Sequence, residues 1–347
     1  MLSRVRPDVI ELHPKYMVFL AGINDIAQNI GVIEVEDAYR NYISIVELAK
    51  NNGIKPIICL LFPVQTIGWN PSLGNISAKV EPVYADSGTG ASIYVKNLVR
   101  SSSKPATISI FDTTFADCKT KGQGGAIYIK YDSTITNCNF IDNSATVCGG
   151  AIYVDDGHMI LSDSSFINNF AICITSNYGG GAIFMYETWC YLYAVNCTFE
   201  NNSATNWGGA IYLYFAYDED TNPIINSTFI NNVAKKGGAI YVDDESSLTT
   251  FNCTFIKNKA SEDGGAIYFE WCGNDNVIEF CSFINNTAGE DGGAIYERGE
   301  VIDNLVHNIF DGNSDSVGTV IYSESNRDSF EIFNENYWSM NFTSVDE

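Results

Sequence analysis

A five-residue string, Gly-Gly-Ala-Ile-Tyr or a near copy, recurs seven times, with its alanine at 126, 151, 182, 210, 239, 266 and 294. The intervals are 25, 31, 28, 29, 27 and 28 residues, a mean of 28, and a weaker copy, GTVIY, puts Val320 at the same place. A second element, Phe-x-x-Asn, keeps step with it: Phe140/Asn143, Phe166/Asn169, Phe199/Asn202, Phe229/Asn232, Phe255/Asn258, Phe283/Asn286 and Phe310/Asn313. The first copy departs, Phe115 being followed by Cys118. A period of this length is one supersecondary unit, which cannot bury its apolar face alone and must stack on its neighbours. Each unit holds two or three apolar runs of strand length punctuated by Asn and Gly, without helical spacing, which argues against leucine-rich and helical arrays. The expected fold is therefore all-β: a parallel β-helix, or solenoid, of about eight rungs. At about 4.8 Å per rung it would be a rod roughly 35–40 Å long.

The repeated residues have readable jobs in such a coil. In Asn-Cys-Thr-Phe, period-2 alternation sends Cys and Phe to one face, the interior. Gly-Gly permits positive φ at a corner. The Asn of Phe-x-x-Asn is expected to take the left-handed region and to hydrogen-bond its neighbours above and below as a ladder. In Ala-Ile-Tyr-Val, Ile and the following apolar residue should point inward. Tyr128, Tyr153, Tyr212, Tyr241, Tyr268 and Tyr296 would then stack along an outer face.

Charge divides the chain of 347 residues. It carries 42 acids against 19 bases, a net −23, and 46% of its residues are apolar, enough for a core. Residues 1–84 hold 7 bases and 8 acids, net −1, so residues 85–347 hold 12 bases and 34 acids, net −22. Such a surface repels phosphate and argues against a nucleic-acid partner. No run approaches the roughly 18 apolar residues of a membrane span. The opening MLSRVRPDVIELHPKY lacks the apolar region of a signal peptide.

The paired Phe-x-x-Asn and Gly-Gly-Ala-hydrophobic motifs resemble the polymorphic outer-membrane protein repeat, shared by chlamydial autotransporter adhesins and the adhesin-like surface proteins of methanogenic archaea. The resemblance covers about residues 105–340. It implies a right-handed parallel β-helix at a cell surface or outside the cell, used for attachment. Asn336-Tyr337-Trp338-Ser339-Met340-Asn341 looks like the Asn-Trp-Trp-Gly-x-Asn element that closes the methanogen helices.

Residues 1–84 read differently. Residues 16–21, YMVFLA, suit a buried parallel strand running into Gly22-Ile23-Asn24-Asp25. Residues 36–50 place Tyr39, Tyr42, Ile43, Val46 and Ala49 on one helical face, with Gly53 as a stop. Residues 56–62 read as a second strand, completing a short α/β (βαβ) segment. This segment resembles the middle of an SGNH (GDSL-type) hydrolase, whose third block is Gly-x-Asn-Asp. By that resemblance Asn24 would donate to an oxyanion, with Gly22 and Asp25 around it. The nucleophile block has no room upstream and no Asp-x-x-His follows. Asp303-Asn304-Leu305-Val306-His307 has one residue too many and falls on a rung. An oxyanion donor without nucleophile or base performs no acyl transfer, so a vestigial or capping role is expected. The missing block, signal peptide and anchor together suggest truncation or rearrangement.

Cys138, Cys197, Cys253 and Cys281 each precede a rung Phe by two residues and should form an interior stack of buried thiols. With no C-x-x-C and three dispersed His, zinc is not expected. Glu262-Asp263 and Glu290-Asp291 precede Gly-Gly on successive rungs. Stacked carboxylates repel, so calcium or a basic partner between them would help. Arg298 and Arg327 are the only arginines beyond residue 100, too few for a lyase that grips uronates. Sequons such as Asn75-Ile-Ser77, Asn196-Cys-Thr198, Asn226-Ser-Thr228 and Asn252-Cys-Thr254 fall mostly within the repeat pattern. The expected function is that of a cell-surface adhesin-like rod for attachment or spacing, with a surface glycan or protein as partner. The alternative is a carbohydrate-active enzyme, either an SGNH-type esterase through Asn24 or a pectate-lyase-like enzyme on the solenoid.

Overall fold

The computed structural model describes residues 108–339 with breaks at 175–177, 188–189, 217–220, 273–275, 300–301, 317–318 and 325–335. It also describes the strands Tyr16–Leu20, Lys55–Cys59 and Ile93–Val95 and residues 48, 51 and 52. The chain divides into two compact units, 1–80 with 97–99, and 81–96 with 100–347.

In the first unit, Tyr16–Leu20 and Lys55–Cys59 pair in parallel, Tyr16 opposite Lys55 and Leu20 opposite Cys59. Both strands expected from the sequence are present there. The helix expected over 36–50 lies outside the described residues apart from Leu48, whose carbonyl accepts from Asn52 Nδ2 at 2.8 Å. Gly22, Asn24 and Asp25 also lie outside them.

The second unit is an all-β parallel solenoid of about eight turns. Four parallel sheets of nine, nine, eight and six strands run its length, every strand paired with the equivalent strand one repeat away. The first, here the tyrosine sheet, contains Ile127–Ile129, Ile152–Val154, Ile183–Tyr186, Ile211–Tyr214, Ile240–Asp243, Ile267–Glu270, Ile295–Arg298 and Ile321–Ser323. The second, the phenylalanine sheet, carries the Phe of Phe-x-x-Asn and ends on Tyr337–Trp338. Registers repeat residue for residue, Phe199 opposite Phe229 and Phe229 opposite Phe255.

Identical residues one rung apart become ladders. Phe115, Phe140, Phe166, Phe199, Phe229, Phe255, Phe283 and Phe310 stack with ring centroids 4.6–4.9 Å apart, and Trp338 continues the stack at 4.6 Å from Phe310. The closing motif thus ends the column with a larger ring. Asn143, Asn169, Asn202, Asn232, Asn258, Asn286 and Asn313 form a buried amide ladder. Asn202 Nδ2 donates to Asn232 Oδ1 at 3.1 Å and to Phe166 O at 2.9 Å, and its backbone N–H donates to Asn232 Oδ1 at 3.0 Å. Where the first copy departs, the backbone N–H of Cys118 caps the ladder on Asn143 Oδ1.

Two details of corner chemistry differ from expectation. The left-handed residue is not the ladder Asn but the one before it: Asp142, Asn168, Asn201, Asn231, Lys257 and Asn285 have φ of 52–56°. The ladder Asn needs its backbone N–H aimed at the next rung, so the turn is made one residue earlier. Of the two glycines only the first has positive φ, as at Gly208 (61°). The second is required for space, since a Cβ on Gly209 would lie 2.0 Å from Gly238 O.

The cysteines are buried, but they do not form one continuous stack. Ser164 and Ser227 occupy the same position on intervening rungs, where their hydroxyls accept from the backbone N–H of Cys138 and Cys197. Only Cys253 and Cys281 are adjacent, with Cys253 N–H donating to Cys281 Sγ at 3.4 Å. None of the nine cysteines whose side chains are described is in a disulfide. Burial pushes the Cys197 thiol up to about 11, which leaves it protonated and inert at neutral pH.

Candidate binding face

On the tyrosine sheet the Ile and the residue after the Tyr face inward, so the Tyr and the residue two beyond it face the other way. Two rows of side chains result. The first is a column of eight rings: Tyr128, Tyr153, Phe184, Tyr212, Tyr241, Tyr268, Tyr296 and Tyr322, at centroid spacings of 4.6–5.4 Å. The second is Lys130, Asp155, Tyr186, Tyr214, Asp243, Glu270, Arg298 and Glu324, of which Tyr186 to Arg298 pair in strand register.

The first row forms the expected column, stacked at both ends but tilted around Phe184 and edge-on between Tyr212 and Tyr241, and it is not an exposed face. Tyr212, Tyr241 and Tyr268 are fully buried, and the rings form a hydrophobic cluster of their own. Much of the cover comes from the residue just before Gly-Gly, at Cys148, Trp207 and Lys236, which bridges to its neighbours along the rod. Trp207 lies flat on Tyr241 at 5.1 Å with its edge toward Tyr212, Cys148 packs on the same cluster, and the Lys236 ammonium sits 4.6 Å over the Tyr268 ring. Reading the strand alone misses this, because the covering residue belongs to the preceding turn.

Buried phenols need acceptors, and the second row supplies them one rung on. Tyr128 donates to Asp155 at 2.6 Å, Tyr212 to Asp243 at 2.7 Å, Tyr241 to Glu270, and Tyr296 to Glu324 at 2.6 Å. Phe184 has no hydroxyl, and the residue opposite on the next rung's second row is a tyrosine, Tyr214. Tyr153 reaches instead to Asp155 on its own rung. Burial pushes the Asp243 carboxyl up to about 7, opposed by the Tyr212 hydrogen bond and reinforced by Asp244 and Glu270. Burial likewise pushes the Tyr212 and Tyr241 phenols far up, so both stay donors.

Two cations on this face sit where a ring and a carboxylate meet. Lys236 bonds Tyr268 Oη at 3.2 Å and pairs with Asp263 at 3.1 Å. Arg298 lies 5.1 Å from the Trp271 ring centroid and pairs with Glu270 at 2.5 Å and Glu324 at 3.4 Å. Lys130 pairs with Asp155 at 2.9 Å. The doublet Glu262-Asp263 finds its basic partners within the fold. Lys235 pairs with Glu262 at 2.6 Å and Lys236 with Asp263, one rung apart. On the next rung the backbone N–H of Glu290 donates to Glu262 O at 2.9 Å, and that of Asp291 to the Asp263 carboxylate at 3.3 Å. Among the described residues no group of three or more His, Cys, Asp or Glu is arranged to hold a metal ion.

At the centre of the face the second row turns aromatic. Tyr186 and Tyr214 stack at 5.6 Å with planes 13° apart, Tyr178 packs on both, and all three are half-buried. A patch of rings bounded by carboxylates can hold a ligand through π-faces and charge; it offers no nucleophile. Sequence reading missed Tyr186 and Tyr214, and it placed Asp243 in an acidic run at a turn without its role as the acceptor for Tyr212. Aligning the repeats on their alanines would have shown the position four beyond changing from acid to tyrosine and back.

Comparison with known proteins agrees with this architecture. Residues 189–334 match a family described as a right-handed beta helix region. Residues 137–155 match the Chlamydia polymorphic membrane protein repeat. Relatives include the probable outer membrane protein pmp6 of Chlamydia pneumoniae, 37% identical over 131 residues, which is 34% of this chain and 10% of that protein. The probable outer membrane protein pmp20 of the same organism is 31% identical over 177 residues, 46% of this chain and 10% of its own length. The probable autotransporter YfaL of Escherichia coli (strain K12) is 28% identical over 180 residues, 47% of this chain and 14% of its own. The chain therefore spans a seventh or less of the length of these relatives. No solved structure matches it. Its repeats are distantly homologous to those of autotransporters and polymorphic outer membrane proteins.

Proposed function

We propose that this chain is an attachment or spacer rod displayed at a cell surface, with a surface glycan or protein as its partner. The observation that carries the reading is a solenoid of about eight turns whose repeats are related to those of outer membrane and autotransporter proteins. Rigidity fits the role, since ladders fix every rung against the next. In this reading residues 85–347 form the rod and residues 1–84, the segment resembling an SGNH hydrolase, cap or precede it. The test is retention of cells and of arrayed glycans by the purified, immobilised chain, with and without calcium. Specific retention supports the reading, and loss on chelation assigns an ion to the stacked carboxylates Glu262, Asp263, Glu290 and Asp291. No retention on any surface, together with aryl-ester hydrolysis that disappears in Asn24→Ala, would overturn it in favour of an esterase.

A further inference from the structure

The stacked rings of Tyr186 and Tyr214 interrupt a row that is otherwise charged. Carboxylates stand at both ends of the pair. Asp243 is opposite Tyr214 in strand register, with Asp244 next in sequence; Glu187 follows Tyr186, and Asp155 lies one rung before it. The base nearest in the row, Lys130, is held by Asp155 at 2.9 Å. We propose that Tyr186 and Tyr214, between Asp155 and Glu187 at one end and Asp243 and Asp244 at the other, dock a cationic side chain from a basic segment of a partner protein.

Three observations support that occupant. The same face already binds two of the chain's own cations in this manner: Lys236 over Tyr268 with Asp263, and Arg298 over Trp271 with Glu270. At the Tyr186 and Tyr214 rungs the rings and carboxylates are repeated while the second row supplies no base. Charge complementarity then selects the partner, because residues 85–347 carry net −22 and repel sulfated or uronate-rich glycans as they attract a basic segment. A ring face adds to carboxylate attraction through its quadrupole, and favours a partly desolvated Lys or Arg over a neutral sugar.

This inference rests on the attachment reading, and its test separates the two. Titration calorimetry of the full chain with hexalysine, with hexaglutamate as control, is run on the parent and on Tyr186→Leu, Tyr214→Leu and Tyr186→Phe. Hexalysine should bind and hexaglutamate should not. Each Leu variant should bind about fivefold or more weakly at unchanged net charge, while Tyr186→Phe, which keeps the ring, should bind like the parent. Should a Leu variant lose its β circular dichroism, Glu187→Gln on the parent is expected to weaken binding without touching the ring stack. Absence of hexalysine binding, or equal binding by parent and folded Leu variants, overturns the site, the second result meaning diffuse attraction to an acidic rod. Cells retained equally by the Leu variants whose peptide binding has fallen would leave the attachment reading standing and remove this site from it. Peptide binding intact with no cell retention would do the reverse.

Discussion

Phe280 stands at a corner that earlier rungs give to Asp112, Asn137, Asp163, Asn196, Asn226 and Asn252, all with φ of 50–55°. Asn and Asp tolerate this left-handed turn because their side chains bond locally, whereas a bulky residue there is strained by about 1–2 kcal/mol. Phe280 is also 48% exposed, and its contacts are the His307 ring stacked at 4.8 Å and the edge of Phe251. Phe280→Asn should therefore raise stability by about 0.5–1 kcal/mol, read as a higher melting temperature; a lower one would mean that the aromatic stack outweighs the strain. Asp243 gives a residue-scale pH dependence. Its folded value of about 7 lies above the usual carboxylate value of 3.8, because burial disfavours the charge beside Asp244 and Glu270. Its contribution to stability is thus fully present below about 4 and is lost as pH rises through about 7. The groups facing it are Tyr212, Tyr214, Tyr241, Asp244 and Glu270. Asp243→Asn, which keeps an acceptor for Tyr212, should melt higher than the parent at pH 8, with the advantage vanishing by pH 4.

At the scale of the element, the rod carries an inner asparagine ladder and outer corner pairs, Asn137 with Asp112, Asn196 with Asp163 and Asn252 with Asn226, with different consequences. The inner one is buried and each member serves two rungs. Asn202→Ala would leave Asn169 N–H and Phe166 O without the partners they now have, inside a core that holds no replacement. The expected loss is about 2–5 kcal/mol. Asn196 belongs to an outer pair, where it reaches Asp163 at 3.1 Å in solvent, and Asn196→Ala should lose about 1–2 kcal/mol, chiefly the strain of an alanine at φ 55°. Chemical denaturation of the two variants checks the contrast, and similar losses would mean that turn propensity, not ladder bonding, sets the stability of a rung. The same logic explains why the inner Asn is not the left-handed residue. The backbone N–H that feeds the ladder must point along the rod axis, and the preceding residue makes the bend that aims it.

For the whole solenoid, stability is carried by nearest-neighbour contacts between turns, so turns are interchangeable to first order. Deleting residues 229–254 joins Thr228 to Phe255 just as the intact chain joins Thr228 to Phe229 and Thr254 to Phe255, and restores every ladder with one member fewer. That variant should fold, keep its β circular dichroism and unfold cooperatively at a somewhat lower denaturant concentration. Deleting only residues 229–241 should not fold, since it joins Thr228 to Val242 and sets the remnant of the tyrosine strand where Phe229 and Ile230 belong. If both deletions behaved alike, the order of turns would not be held by the ladders.

The period, the strand character of each unit and the parallel stacking were legible in the residues alone, because a solenoid writes one rung's chemistry into the sequence over and over. Gly-Gly, Phe and Asn announce their corners and columns at a fixed spacing, and alternation within a strand tells which side chain points inward. Burial on the outward side was not legible. Whether the tyrosine column meets water depends on Trp207, Cys148 and Lys236, which come from the turn before each strand and fold over it. The partners of the doublet Glu262-Asp263 were hidden for a similar reason, since Lys235 and Glu262 meet across one rung rather than along the chain. Sequence determined what repeats; the coil decided which repeated residues cover, pair with and expose one another, because those contacts join neighbouring turns at a distance of one period.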